Sequence, residues 1–177
     1  MSMESADTND PTANFQKAVT VFNTICTAFP TNELGARAWG EMGDCYLQLT
    51  NYDAATNAYS QALATAGSNV VVASQAQFGL GLALEKQAAL LPPDGRTNLN
   101  YQALANYLGV FNAYGPERDP FWTQKAGLQA AELASALGQW QEVTNLYASL
   151  ARQFPQLKAG LAAKAALAGQ NLSPPGH

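Results

Sequence analysis

From Thr12 onward, apolar residues recur at three- and four-residue spacing, and proline, glycine and asparagine interrupt them at intervals. Phe15, Ala18, Val19, Phe22, Ile25 and Cys26 form the first apolar face, which Pro30 closes. Such spacing predicts a helix. A second helix is expected over 33–49, with Ala38, Trp39, Met42, Cys45, Tyr46 and Leu49 on its apolar side, and a third over 53–66, with Ala55, Ala58, Tyr59 and Ala62. A fourth covers 71–90. A fifth covers 100–113, carrying Tyr101, Leu104, Ala105, Leu108 and Phe111. An alanine-rich sixth is expected over 120–137, and a seventh over 141–154 with Val143, Tyr147 and Leu150. The last helix, 156–168, exposes more polar residues, as a capping helix should. No stretch alternates with period two, so no strand is expected and the class is all-α.

The breaks between these segments set the organisation. Residues 1–12 read as a disordered lead-in, 13–170 as a single helical domain, and 171–177 as a flexible tail. Within the domain, 87–99 reads as an insertion around Pro92-Pro93-Asp94-Gly95, serving as a spacer. The run Phe78-Gly79-Leu80-Gly81 is rich enough in glycine to suggest a phosphate loop. No strand precedes it and no Gly-Lys-Ser/Thr follows, so that reading fails.

Trp39-x-x-Met42-Gly43-x-x-Tyr46, followed by Ala55, Tyr59 and Ala62, resembles the tetratricopeptide repeat, a helix–turn–helix stacking unit. Phe15 to Pro30 resembles a second helix without its first. Leu80-Gly81-x-Ala83-Leu84 resembles a first helix whose second arrives about eleven residues late by the family spacing. Gly138-Gln139-Trp140-x-x-Val143, with Tyr147, Leu150 and Pro155, resembles another second half, preceded by Ala131 at the small position of its first helix. Ala18, Ala55, Leu104 and Val143 stand at the crossing positions in this alignment, so the array is irregular. The resemblance implies a right-handed superhelical solenoid of antiparallel helix pairs. It also implies a concave face lined by the first helices.

Composition narrows the chemistry. Of 177 residues, 47% are hydrophobic and only 12% charged, about half the usual charged share. The net charge is −4, and lysine and arginine are scattered singly. Without a basic stripe, nucleic-acid binding through phosphate neutralisation is not expected. No segment approaches the roughly 20 apolar residues that span a bilayer, so no membrane insertion is expected. The opening residues lack the positive and apolar regions of a signal peptide. The alanine- and glutamine-rich, lysine-poor composition suits a bacterial protein of cytoplasm or periplasm, such as an envelope scaffold trimmed of its leader.

Catalytic chemistry finds little to work with. His177 is the only histidine and stands at the last position, which excludes a histidine relay. Cys26 and Cys45 read as buried thiols, with a disulfide the alternative in an oxidising compartment. Two cysteines without neighbouring ligands hold no metal, and no cofactor is expected. The carboxylates fall at turns, helix starts and solvent faces. Glu33, Asp53 and Asp119 suit helix N-termini. Trp39, Tyr46, Tyr59, Trp140 and Tyr147 read as packing residues, as do Tyr52 and Tyr101 at the starts of second helices.

The expected function is therefore non-enzymatic: a protein–protein interaction module or scaffold taking a peptide or partner helix. By the resemblance, its lining would be Arg37, Asp44, Leu47, Gln48, Gln75, Phe78, Leu82, Lys86, Lys125 and Leu128, with an apolar strip running through the leucines and Phe78. The alternative is a homo-oligomer assembled through an open hydrophobic edge of the first helix at Phe15, Val19 and Phe22.

Overall fold

The computed structural model describes residues 10–113, 115 and 118–172. Among them the helices are α1 (Pro11–Ala28), α2 (Glu33–Gln48), α3 (Tyr52–Thr65), α4 (Val70–Leu90), α5 (Pro93–Phe111), α6 (Pro120–Ala136), α7 (Trp140–Gln153) and α8 (Lys158–Gln170). A 3-10 turn, Pro155–Leu157, joins α7 to α8. No strand occurs among the described residues. Most of the lead-in and most of the tail lie outside them.

The helix starts follow from side chains that satisfy otherwise orphaned amides. Asp10 accepts from Thr12 N, Asn32 from Leu34 N and Gly35 N, Asn51 from Ala54 N, and Asp119 from Trp122 N. Glu33 and Asp53 occupy first turns, where negative charge meets the positive end of the helix dipole. Gly138 ends the turn after α6 with φ at 72°, a conformation that glycine adopts without a Cβ penalty.

One boundary differs from the sequence reading. The expected spacer 87–99 is mostly helical: α4 continues to Leu90 and α5 already begins at Pro93. Pro93 occupies the first turn of α5, where its missing N–H costs nothing and its fixed φ suits a helix. Proline here starts a helix as well as ending one.

The chain forms two compact units, Met1–Gly79 and Leu80–His177. In the first, α1 packs on α2 and α2 on α3. Cys26, Ala38, Met42 and Ala58 form a buried cluster, with Val19, Phe22, Ile25, Trp39 and Tyr46 packed against it. The expected open edge of α1 is therefore partly covered by its own neighbours. The outward residues Thr20, Thr24 and Thr27 turn their hydroxyls back onto carbonyls one turn earlier. In the second unit, α5 packs on α6, α6 on α7, and α7 on α8. Of α8 only Leu161 and Ala168 are buried, which fits the end of a stack.

Close approach depends on glycine at a few positions. A Cβ on Gly43 or Gly79 would strike the ring of Tyr59. One on Gly81 would lie 2.8 Å from the Tyr107 ring, and one on Gly127 2.6 Å from Phe111. The glycines of Phe78-Gly79-Leu80-Gly81 are thus seats for two tyrosine rings. Gly79→Ala should lower the melting temperature, because overpacking costs about 1–3 kcal/mol while the gain in helix propensity is at most ~1 kcal/mol. Gly160→Ala, with nothing within 4 Å of the added methyl, should raise it slightly. Thermal unfolding of the two variants checks both signs.

Candidate functional site

The second helix of each pair carries a buried triplet at i, i+4 and i+7. These are Ala55, Tyr59 and Ala62 on α3; Ala103, Tyr107 and Val110 on α5; and Val143, Tyr147 and Leu150 on α7. The crossing residue on α5 is therefore Ala103, one position before the expected Leu104. Ala103 is fully buried, and its carbonyl lies 3.2 Å from where a Cβ on Gly81 would stand.

A tyrosine buried this deeply needs a partner for its hydroxyl. Tyr59 O–H donates to Asp44 Oδ1 at 2.5 Å, and Gln75 Nε2 donates to Asp44 Oδ2 at 3.2 Å. Tyr107 O–H donates to Glu85 Oε2 at 2.7 Å, and Gln129 Nε2 donates to the same oxygen at 3.1 Å. Each set joins a carboxylate on one helix, a tyrosine on the next, and a glutamine on the helix after that. The first lies wholly in the first unit and the second wholly in the second. Burial is the main cause that holds both phenols far above their ordinary pKa of 10.0, and the neighbouring carboxylate adds to it.

A third position has the first two components without the bonds. Tyr147 is 6% exposed, and Glu132 precedes it by the 15 positions that separate Asp44 from Tyr59. The phenol of Tyr147 is also raised, by burial first and by Glu132 second. Glu85 and Tyr107 are 22 positions apart. The seven additional residues make two helical turns, and they lie at the start of α5. Tyr107 is fourteen positions after Pro93, whereas Tyr59 is seven after Tyr52 and Tyr147 seven after Trp140. The late arrival of the second helix is thus a longer helix, exposed over 91–98.

The expected lining residues divide between the units. In the first, Arg37 and Gln48 are exposed on α2, Leu47 is half-buried, and Asp44 and Gln75 are half-buried and bonded to each other. Arg37 also lies 3.8 Å from Glu33 one turn before it. Phe78 is a correction: at 4% exposure it belongs to the packing beside Gly79 and offers no open surface. In the second unit, Lys86 and Lys125 are exposed, and Leu82 and Leu128 are half-buried. Lys125 stands over the ring of Trp122 at 4.8 Å, so its charge is already engaged by an aromatic face. Tyr101, expected to pack, is 46% exposed because, with Ala103 in the crossing position, it stands two places before that residue, as exposed Asp53 does before Ala55.

The cysteines are placed as buried thiols. Both are free and buried; Cys26 Sγ donates to Gly35 O at 3.8 Å. Burial raises both thiols, and the charges of Asp44 and Glu41 push Cys45 further, so the nucleophilic thiolate is disfavoured. No group of three metal-ligating side chains occurs among the described residues, and no described helix is long and apolar enough to cross a membrane. His177 lies outside the described residues. No protein-family model matches the chain, and no curated protein matches it significantly.

Tyr59→Phe and Tyr107→Phe should each destabilise the fold by about 1–3 kcal/mol, the usual cost of removing a bond to a charged acceptor. Tyr147→Phe should change stability little, which chemical denaturation of the three variants checks. A second outcome follows from pH. Because the folded phenols are raised, their contribution is complete below 10.0 and declines as pH rises beyond it, where the unfolded chain ionises first. Stability measured against alkaline pH should fall less steeply in the Tyr59→Phe/Tyr107→Phe double variant.

Proposed function

We propose that this chain is a non-enzymatic interaction module of tetratricopeptide-like, superhelical build, binding a peptide or partner helix on a concave face formed by the first helices of its pairs. The observation that carries this reading is the fixing of Asp44. Tyr59 and Gln75 hold its carboxylate from two helices, beside half-buried Leu47 and exposed Gln48 and Arg37. An immobile polar anchor next to an apolar contact suits recognition of an extended or helical segment, because little ordering entropy remains to be lost. Leu82, Lys86 and Leu128 supply a similar mixture in the second unit, around Glu85. The exposed Val21 on α1 and Phe29 at its end support the self-assembling reading as the alternative.

The test replaces exposed Arg37 and Gln48 together with half-buried Leu47. Arg37→Ala with Leu47→Ser and Gln48→Ala should abolish capture of partners from the source lysate while leaving the circular dichroism spectrum unchanged and the protein folded at the assay temperature, the Leu47 change lowering the melting temperature slightly. Retention of every partner by this variant would sink the reading. A mass that rises with concentration in light scattering, with no partner lost, would favour self-assembly.

A further inference from the structure

The third tyrosine lines a pocket of about 220 Å³ between α6, α7 and α8, wholly inside the second unit. Ser135, Tyr147, Lys164 and Asn171 are its polar lining, and Trp140, Val143, Leu167 and Ala168 its apolar walls. Tyr147 is more than nine-tenths buried, yet its hydroxyl has no hydrogen-bond partner among the described residues. That differs from Tyr59 and Tyr107, each tied to a carboxylate that a glutamine amide also holds. Where the next helix supplies Gln75 or Gln129 in those sets, α8 supplies Lys164, whose ammonium sits 5.8 Å from the centre of the Tyr147 ring. The hydroxyl itself is not sealed from solvent, so it is the polar tip of a buried ring that opens on a polar-lined groove, where a ligand group can replace water as its partner.

We infer that this pocket receives a primary carboxamide on an apolar stem, the ligand taking the place that a glutamine side chain fills in the other two sets. Charge decides against the obvious rivals. Lys164 lines one side, and Glu132 stands one turn before Ser135, close enough for its charge to act on Tyr147. A carboxylate ligand would meet Glu132, and an ammonium ligand would meet Lys164. A carboxamide is neutral and has both a donor and an acceptor. Its carbonyl accepts from Tyr147 O–H and Lys164, its N–H groups donate to Ser135 Oγ and toward Glu132, and its stem rests on Trp140 and Leu167. The inference rests on the proposed function only for one source of the amide, a glutamine or asparagine of a bound peptide; a free small amide is the other.

The probes are phenylacetamide and its charged isosteres phenylacetate and 2-phenylethylamine, titrated into the full chain and followed by backbone and indole amide shifts in NMR. Phenylacetamide should saturate one site, with shifts confined to the pocket, and both isosteres should bind at least about tenfold more weakly. Tyr147→Phe should weaken the amide about tenfold with the fold unchanged, and Glu132→Gln should improve phenylacetate relative to it. Absence of saturable amide binding, equal binding of either isostere, or an unchanged affinity in Tyr147→Phe would overturn the inference. Tighter binding of acetyl-Leu-Gln-Leu-N-methylamide than of phenylacetamide assigns the source to a peptide, and the reverse order assigns it to a small amide. Loss of partners in the Arg37, Leu47 and Gln48 variant without any amide binding would leave the module reading standing and remove this one.

Discussion

The architecture depends on burying a whole tyrosine between helices. The ring needs room, which glycine at positions 43, 79 and 81 gives by bringing backbone up to the aromatic face. The hydroxyl needs an acceptor, which Asp44 and Glu85 give from the preceding helix. The magnitudes explain why both conditions are met together. Burying an aromatic side chain of about 150–250 Å² contributes about 4–6 kcal/mol at most, and an unsatisfied hydroxyl would remove about 1–3 kcal/mol of that. Glutamines from a third helix complete each carboxylate, so a single buried ring fixes three helices in register. α4 serves twice: Gln75 and Gly79 act in the first unit, Gly81 and Glu85 in the second.

Much of this was legible in the sequence, for a reason visible in the same residues. Apolar faces repeat within four positions, so Phe22, Met42, Ala62 and Leu150 announce their helices through local spacing alone. The caps are local too, which is why Asp119 was readable as a helix start. What stayed hidden depends on distant partners. Gln129 meets Glu85 across 44 positions, and no periodicity carries that pairing. Phe78 looked like a surface residue because a repeat template assigns faces from one helix, whereas burial depends on everything packed around it. The lengthened α5 is hidden in the sequence because two adjacent prolines mark a break, although the second of them is a helix start. One long-range regularity does lie in the sequence: the common 15-residue separation of Asp44 from Tyr59 and of Glu132 from Tyr147.

Low charge gives this chemistry its character. With 12% charged residues, long-range attraction contributes little, and polar recognition falls to hydroxyls and amides held at short range. Such groups discriminate only when they cannot reorient, since a mobile amide adapts to donor or acceptor alike. The structure meets that condition at Asp44 and Glu85, where each carboxylate is bonded by donors from two other helices. These bonds also consume much of the acceptors' capacity, so the same interactions that rigidify the first two sets limit what they can still bind. The third position has no such bonds among the described residues. There Tyr147 is buried along with Val143 and Leu150 on α7, and its hydroxyl has no hydrogen-bond partner among the described residues. A repeat that satisfies its polar groups internally is glue. At the third position the final helix brings Lys164, its ammonium 5.8 Å from the centre of the Tyr147 ring, where the other two sets have a glutamine.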